Sequence, residues 1–249
     1  MDTSAFTNVR AVMGRELAAY FGSPIAYVFI VIFLMLTGFF TFSVSRFYEA
    51  GQADLRGFFE WHPWIFLFLV SSVAMRLWAD ERKTGTIELL LTLPVTMGQV
   101  IFAKFLAAWA FVGVAIVLTF PMVLTALYLG EPDMGAIAVG YVGSFLLSGA
   151  YLAVGSMTSA LTKNQVIAFI LSVVIGLFLV MAGWPPVTDV LSGWAPRWAV
   201  DIVAGFSVMT HFAGIQRGVL DLRDIFYFVS LIFFALFATG VVLQSRRGA

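Results

Sequence analysis

The hydrophobic positions along the chain fall into long runs that contain almost no charged residue. Crossing the hydrocarbon core of a bilayer, roughly 30 Å thick, takes about 20 residues of helix. The runs are continuously apolar and do not alternate in polarity, which favours helices over the strands of a barrel. They predict six membrane-spanning helices, at about 25–45, 62–79, 101–129, 135–161, 165–184 and 225–245.

The composition supports this interpretation. Hydrophobic residues make up 61% of the 249 residues and charged residues 11%, whereas roughly a quarter of a soluble domain is charged. Lys plus Arg and Asp plus Glu number 14 each, so no basic excess exists to bind nucleic acid. The absence of cysteine excludes disulfides, thiol catalysis and thiolate metal sites. We therefore predict a single all-α integral membrane domain over residues 1–249, in contact with the lipid bilayer.

The basic residues are distributed unevenly between the two sides of the predicted bundle. Six spans place both termini on one side, and nine of the 14 basic residues lie on that side. The positive-inside rule then predicts cytoplasmic N- and C-termini. The first apolar run is too long for the core of a signal peptide and lacks a cleavage site, so we expect it to remain as an anchor.

Three segments differ from simple spans. Residues 4–21 have apolar positions at helical spacing, which predicts a helix in the cytoplasmic interface or, alternatively, an extension of the first span. Residues 80–98 carry the densest charge in the chain. We expect Gly85 to end the second helix. The segment forms either a short amphipathic helix that docks a soluble partner or a solvated loop. In the outer loop at 185–224, apolar positions at helical spacing predict one amphipathic helix. This helix either gates an exit path or caps the bundle. Its apolar positions are Trp198, Ile202, Phe206, Met209 and Ala213.

Groups that would support catalysis or self-powered transport are missing from the sequence. No charged residue lies deep in a predicted span, and we expect Arg76 and Lys104 to snorkel towards the cytoplasmic side. No phosphate-binding glycine motif occurs, so energy for any work would come from another subunit. We expect His62 at the membrane interface and His211 exposed on the outer loop. An intramembrane enzyme is therefore disfavoured, while a non-transporting membrane scaffold remains an alternative.

Three motifs resemble those of ABC-2 family transporter permeases. Residues 79–96, ADERKTGTIELLLTLPVT, resemble the cytoplasmic loop that follows the second span in that family. Residues 16–27, ELAAYFGSPIAY, resemble the start of the family. Residues 211–224, HFAGIQRGVLDLRD, are similar to the gliding-motility-associated permease branch. The resemblance covers nearly the whole chain and implies the membrane-spanning subunit of an ATP-driven exporter.

The resemblance also implies partners and site residues. A separate ATPase subunit would bind ATP and Mg, with no cofactor in this chain, and residues 4–21 would form an elbow helix. A second permease copy, giving a homodimer, and an extracytoplasmic auxiliary membrane protein would complete an assembly in the bacterial cytoplasmic (inner) membrane. The ATPase would contact a coupling helix that contains Glu81, Arg82, Lys83, Thr84, Gly85, Thr86 and Glu88. An outer gate helix would contain Trp198, Ile202, Phe206 and Met209. The substrate, the direction of transport and a role in force transmission are left open.

Overall fold

The computed structural model describes residues 3–51, 53–86 and 95–245, with side chains from residue 7 onward. Within these residues the regular structure is entirely helical, and no strand occurs. Five helices are long and apolar enough to cross a membrane, or seven if two bent helix pairs each count as one span. The predicted all-α class with several membrane spans is therefore confirmed, and the predicted number of six lies within the observed range.

The described residues form thirteen α-helices. In chain order they are α1 (Thr3–Phe21), α2 (Pro24–Phe39) with a π-helical continuation (Phe40–Val44), α3 (Arg56–Glu60), α4 (His62–Ala74), α5 (Arg76–Thr84), α6 (Met97–Val117), α7 (Pro121–Leu129), α8 (Met134–Leu161), α9 (Gln165–Met181), α10 (Pro185–Ser192), α11 (Arg197–Gly205), α12 (Val208–Ile215) and α13 (Leu222–Ser245).

Several of these helices are broken or bent where the sequence suggests one continuous span. The predicted span 101–129 consists of α6 and α7, which are separated before Pro121 because proline lacks an N–H and crowds the preceding turn. The predicted span 165–184 ends at Met181, and the chain turns by 63° into α10. The predicted second span, 62–79, corresponds to α4 and α5, which continue helically to Thr84 apart from a break at Met75.

Helix α8 lies at the centre of the bundle and contacts α4, α5, α6, α9, α12 and α13. Small residues on its surface permit these close approaches. A Cβ atom added at Gly155 would lie 2.3 Å from the Cβ of Ala74 in α4. A Cβ atom added at Gly143 would lie 2.1 Å from the Cγ2 of Ile215 in α12. Helix α8 therefore touches α4 and α12 at positions where only glycine fits.

The bundle has two distinct ends. The charged end carries α1, α5 and the tight turn around Lys163 that joins α8 to α9. The hairpin end carries the three short helices α10, α11 and α12. Lys163 lies in the short gap between the predicted spans 135–161 and 165–184, and in the structure this gap is the turn between α8 and α9.

Candidate functional site

A buried ion-pair cluster joins three helices at the charged end. The ammonium of Lys104 in α6 lies 3.1 Å from Glu16 Oε2 in α1 and 2.8 Å from Glu81 Oε1 in α5. The Lys104 side chain is only 5% exposed. The prediction that Lys104 snorkels towards water is therefore wrong, because α1 folds back along α6 and supplies a carboxylate that pairs with the ammonium within the protein.

The buried part of this cluster holds one cation, and a second one, Arg15, reaches it from the surface with its guanidinium 3.1 Å from Glu16 Oε1 and its side chain 60% exposed. Both carboxylates share the Lys104 ammonium, and the Oε2 atom of Glu81 is buried without a hydrogen-bond partner among the described residues. The Trp78 ring, whose centroid lies 5.6 Å from the Lys104 ammonium, adds a cation–π contact. Burial, and secondarily the charge of Glu16, raises the pKa of the nearby Tyr20 phenol. Removing the Lys104 ammonium would leave Glu81 without its buried ion-pair partner and Glu16 with only the exposed Arg15.

Helix α5 is anchored on α8 at the break that separates it from α4. The hydroxyl of Ser159 in α8 accepts hydrogen bonds from the backbone N–H groups of Trp78 and Ala79, both at 3.0 Å, and donates to the Met75 carbonyl at 2.8 Å. The indole N–H of Trp78 donates to Ser156 Oγ at 3.0 Å. The Ser159 hydroxyl thus uses its one donor and both of its acceptor sites to bond backbone groups at the break between α4 and α5.

Replacing Ser159 with alanine is expected to destabilise the protein by about 1–3 kcal/mol, because buried backbone groups lose their partner. The measurement is the thermal unfolding temperature of the purified protein in detergent. Ser148→Ala is the matched control, since Ser148 is equally buried but donates only to Phe145 within its own helix. Equal unfolding temperatures for the two variants would contradict the anchoring role.

The residues predicted to contact an ATPase separate into an inward and an outward group. Glu81 turns inward to Lys104, and the guanidinium of Arg82 donates to the Ala160 carbonyl of α8. The outward group is exposed and consists of Lys83, Thr84, Gly85 and Thr86. Glu88 lies outside the described residues.

Gly85 ends α5, as the sequence predicts. Its φ of 74° lies in the left-handed region that favours glycine. The preceding turn is closed by Thr84, whose hydroxyl donates to the Asp80 carbonyl at 2.9 Å. The Asp80 carboxylate pairs with Arg76 at 3.3 Å and accepts a hydrogen bond from the amide of Gln165 at the start of α9. The exposed tip of α5, residues 83–86, is therefore held by these contacts to the preceding turn and to the start of α9.

The hairpin end differs from the single amphipathic helix that the sequence predicts. The chain bends by 70° between α11 and α12, so Met209 packs against the core and is separated from the other three predicted gate residues. Trp198, Ile202 and Phe206 are exposed by 67%, 54% and 65%. Ser207 makes the bend because its hydroxyl caps α12 at the Met209 N–H and donates to the Val180 carbonyl of α9.

Both histidines are buried, contrary to prediction. His62 is surrounded by aromatic rings, including Phe58 and Phe66, and its Nδ1 lies 2.7 Å from Ser144 Oγ. His211 is 7% exposed and bonds to Asp224 in α13. The sequence does contain a signal for the contact between His211 and Asp224, because both residues belong to the motif at 211–224. Across the described residues, no three His, Asp or Glu side chains lie close enough to hold a metal ion.

Comparison with known proteins yields one match to a protein family. Residues 64–199, more than half of the chain, match the family described as ABC-2 family transporter protein. The matched region runs from α4 into α11 and includes the anchored α5, the central α8 and part of the hairpin end. No curated protein shows a significant match.

Proposed function

Because the chain belongs to the ABC-2 family of transporter membrane proteins, we propose that it couples ATP hydrolysis on a partner subunit to substrate movement or force transmission. The chain is the multi-pass membrane component of such a transporter and does not itself hydrolyse ATP. The family implies a separate ATPase subunit. In this proposal the partner binds ATP and Mg, and the permease holds no cofactor.

The anchored, exposed tip of α5 is the observation that carries this proposal. Lys83, Thr84, Gly85 and Thr86 face outward, while Glu81 fixes the same helix to Lys104. A displacement of this tip by the partner would therefore be transmitted to α1 and α6 through the ion pairs of Lys104. It would be transmitted to α8 through the hydrogen bonds of Ser156 and Ser159. This geometry supports a coupling segment at 80–98, with residues 4–21 as an elbow helix braced against it.

The hairpin end supports a gate on the opposite side. Of its exposed apolar residues, Trp198 and Ile202 lie on α11 and Phe206 directly follows that helix, whereas α12 is inserted among α8, α9 and α13. We assign an outer gate to α11 and α12. The charge distribution supports cytoplasmic termini. The motif at 211–224 supports membership of the gliding-motility-associated branch. We therefore propose an exporter in the bacterial inner membrane.

The complete assembly would contain two permease copies, two ATPase subunits and an extracytoplasmic auxiliary membrane protein. Purification of the tagged chain from native membranes in mild detergent tests this composition. We expect a stoichiometric ATPase with vanadate-sensitive hydrolysis to copurify. A stable chain that binds no ATPase would contradict the proposal and favour the scaffold alternative.

Inserting one alanine after Gly85 should uncouple the two ends of the bundle, because it shifts α5 by one residue relative to the part of the coupling segment that follows it. The chain has no native cysteine, so a single cysteine in place of Ile202 reports on the hairpin end. We expect the parent complex to change its labelling rate at this cysteine when ATP and vanadate are added. The insertion variant should lose that change while still copurifying with an active ATPase.

The control for this experiment is the same insertion after Gly51. Gly51 also has a left-handed φ, of 61°, and is exposed, but it lies in the loop between α2 and α3 at the hairpin end. This second insertion should leave the nucleotide-dependent labelling in place. If the Gly85 insertion also preserves it, the tip of α5 does not transmit the signal.

A further inference from the structure

The surroundings of His211 constrain how many protons its ring carries. Nε2 lies 3.1 Å from the Gly205 carbonyl oxygen at the end of α11, and Nδ1 lies 2.8 Å from Asp224 Oδ1 in α13. A carbonyl oxygen only accepts hydrogen bonds, so Nε2 must carry a proton. In a neutral ring, Nδ1 would then present a lone pair to a carboxylate oxygen. Both contacts are satisfied only if one further proton is present between His211 and Asp224.

Imidazole is a much stronger base than a carboxylate, which places this proton on the ring. We propose that His211 is a doubly protonated imidazolium that latches α11 and α12 to α13, and that loss of its second proton releases this latch. The proposed gate gives the latch a role in transport, but the latch itself is a property of the chain and is testable without an ATPase.

Neighbouring groups hold the imidazolium in place. The Tyr227 ring stacks on His211 with centroids 4.0 Å apart, and the Tyr227 hydroxyl donates to the Phe206 carbonyl at 2.6 Å. Imidazole, carboxylate and phenol thus connect α13 to the junction of α11 and α12. The latch spans the 70° bend, so its release would loosen the bend.

Among the described residues, the elements packed against α12 bring no other buried charge to His211 that would compete with Asp224. Helices α8 and α9, which also pack against α12, contain no charged residue, and the titratable groups of α8 are Tyr141 and Tyr151. The charged residues of α11, Arg197 and Asp201, are exposed. The remaining charged residues nearby, Arg217, Asp221 and Arg223, are also exposed, and Asp221 accepts a hydrogen bond from the Arg223 backbone.

The direction of the pH effect follows from the proton count. The latch requires the second proton, so raising the pH removes it and leaves a lone pair facing the carboxylate. Lowering the pH keeps the latch formed until the Asp224 carboxylate is itself protonated. The hairpin end should therefore be held most firmly in mildly acidic surroundings and be released as the pH rises.

Nitrogen-15 NMR of histidine-labelled protein in lipid tests the charge state directly. The chain contains only two histidines, so two ring systems are observed. For His211 we expect both ring nitrogens to be protonated in mildly acidic buffer, with one proton lost as the pH rises. In Asp224→Asn the ring should be neutral at a pH where the parent ring is charged. His211→Gln identifies the signal by removing it. One unprotonated His211 nitrogen at every pH down to mildly acidic buffer would overturn the proposal.

His62 provides an internal reference for the same spectra. The hydroxyl of Ser144 donates to the Gly140 carbonyl at 2.7 Å, so it can only accept from His62 Nδ1. The Nε2 atom of His62 has no hydrogen-bond partner among the described residues. His62 should therefore show one protonated and one unprotonated nitrogen, and neither should respond to Asp224→Asn.

Pulsed electron paramagnetic resonance tests the mechanical consequence. Spin labels on cysteines introduced at Ala213 in α12 and Ser230 in α13, both exposed positions, report the separation of these helices. We expect a narrow distance distribution in mildly acidic buffer and a broader one at higher pH. Asp224→Asn should give the broad distribution throughout, and Asp221→Asn, at the exposed residue just before α13, should behave as the parent. Identical distributions for all three proteins at every pH would overturn the latch even if the histidine is charged.

Discussion

Replacing Lys104 with methionine is expected to destabilise the protein by about 3–5 kcal/mol, the usual cost of removing one partner from a buried ion pair. Methionine keeps much of the aliphatic volume but removes the buried charge that pairs with both Glu16 and Glu81, and leaves Glu16 with only the exposed Arg15. The two carboxylates would then face each other in a site with little access to water. Thermal unfolding of the purified variant in detergent, together with its yield from membranes, measures the effect.

Lys163→Met is the matched control, because Lys163 is exposed in the turn between α8 and α9. Surface substitutions of this kind usually change stability by less than about 0.5 kcal/mol. Combining Lys104→Met with Glu16→Gln and Glu81→Gln should recover much of the loss, since no buried charge is left uncompensated and Arg15, which loses Glu16, is exposed to water. If Lys104→Met is as stable as Lys163→Met, the ammonium does not hold the three helices together.

Replacing Gly155 with leucine should prevent α4 and α9 from packing against α8. An added Cβ meets the Cβ of Ala74 at 2.3 Å and Ser172 Oγ at 3.2 Å, so there is no direction in which a large side chain could turn without moving a helix. Overpacking of this type costs about 1–3 kcal/mol or more. We expect loss of a monodisperse protein in size-exclusion chromatography and a lower unfolding temperature.

Gly38→Leu is the control for that substitution, since a Cβ at Gly38 in α2 meets no atom within 4 Å. The milder change Gly155→Ala provides a rescue test. Pairing it with Ala74→Gly removes the methyl group that the new one would strike, and stability should recover. Failure of this pair to recover would indicate that the contact between α4 and α8 is not what limits packing at Gly155.

The helical architecture was predictable because a bilayer requires long apolar runs, and such runs are visible in a single sequence. Gly85 was predictable for a local reason as well, because glycine is suited to the left-handed position at a helix end. The break before Pro121 was not predicted because it lies within an apolar run, where hydropathy alone does not reveal a bend, whereas the end of α9 at Met181 lies three residues before the predicted end at 184.

The buried polar groups could not be predicted because their partners come from distant parts of the chain. Lys104 looks like a residue at the end of a span until α1 is known to lie against α6 and bring Glu16 to it. His62 looks like an interfacial residue until Ser144 of α8 is known to face it. His211 is an intermediate case, since Asp224 is only 13 positions away, but the bend at Ser207 that brings them together depends on packing against α9.

The position of α8 has a thermodynamic consequence for the proposed transporter. This helix holds α5 through Ser159 at one end and receives Ile215 of α12 against Gly143 nearer the other. If nucleotide binding on the partner subunit changes the arrangement of the hairpin end through α8, thermodynamic linkage requires the hairpin end to influence nucleotide binding by an equal free energy. A molecule that binds the hairpin end and favours one of its arrangements must then change the affinity of the distant ATPase for its nucleotide by the same factor.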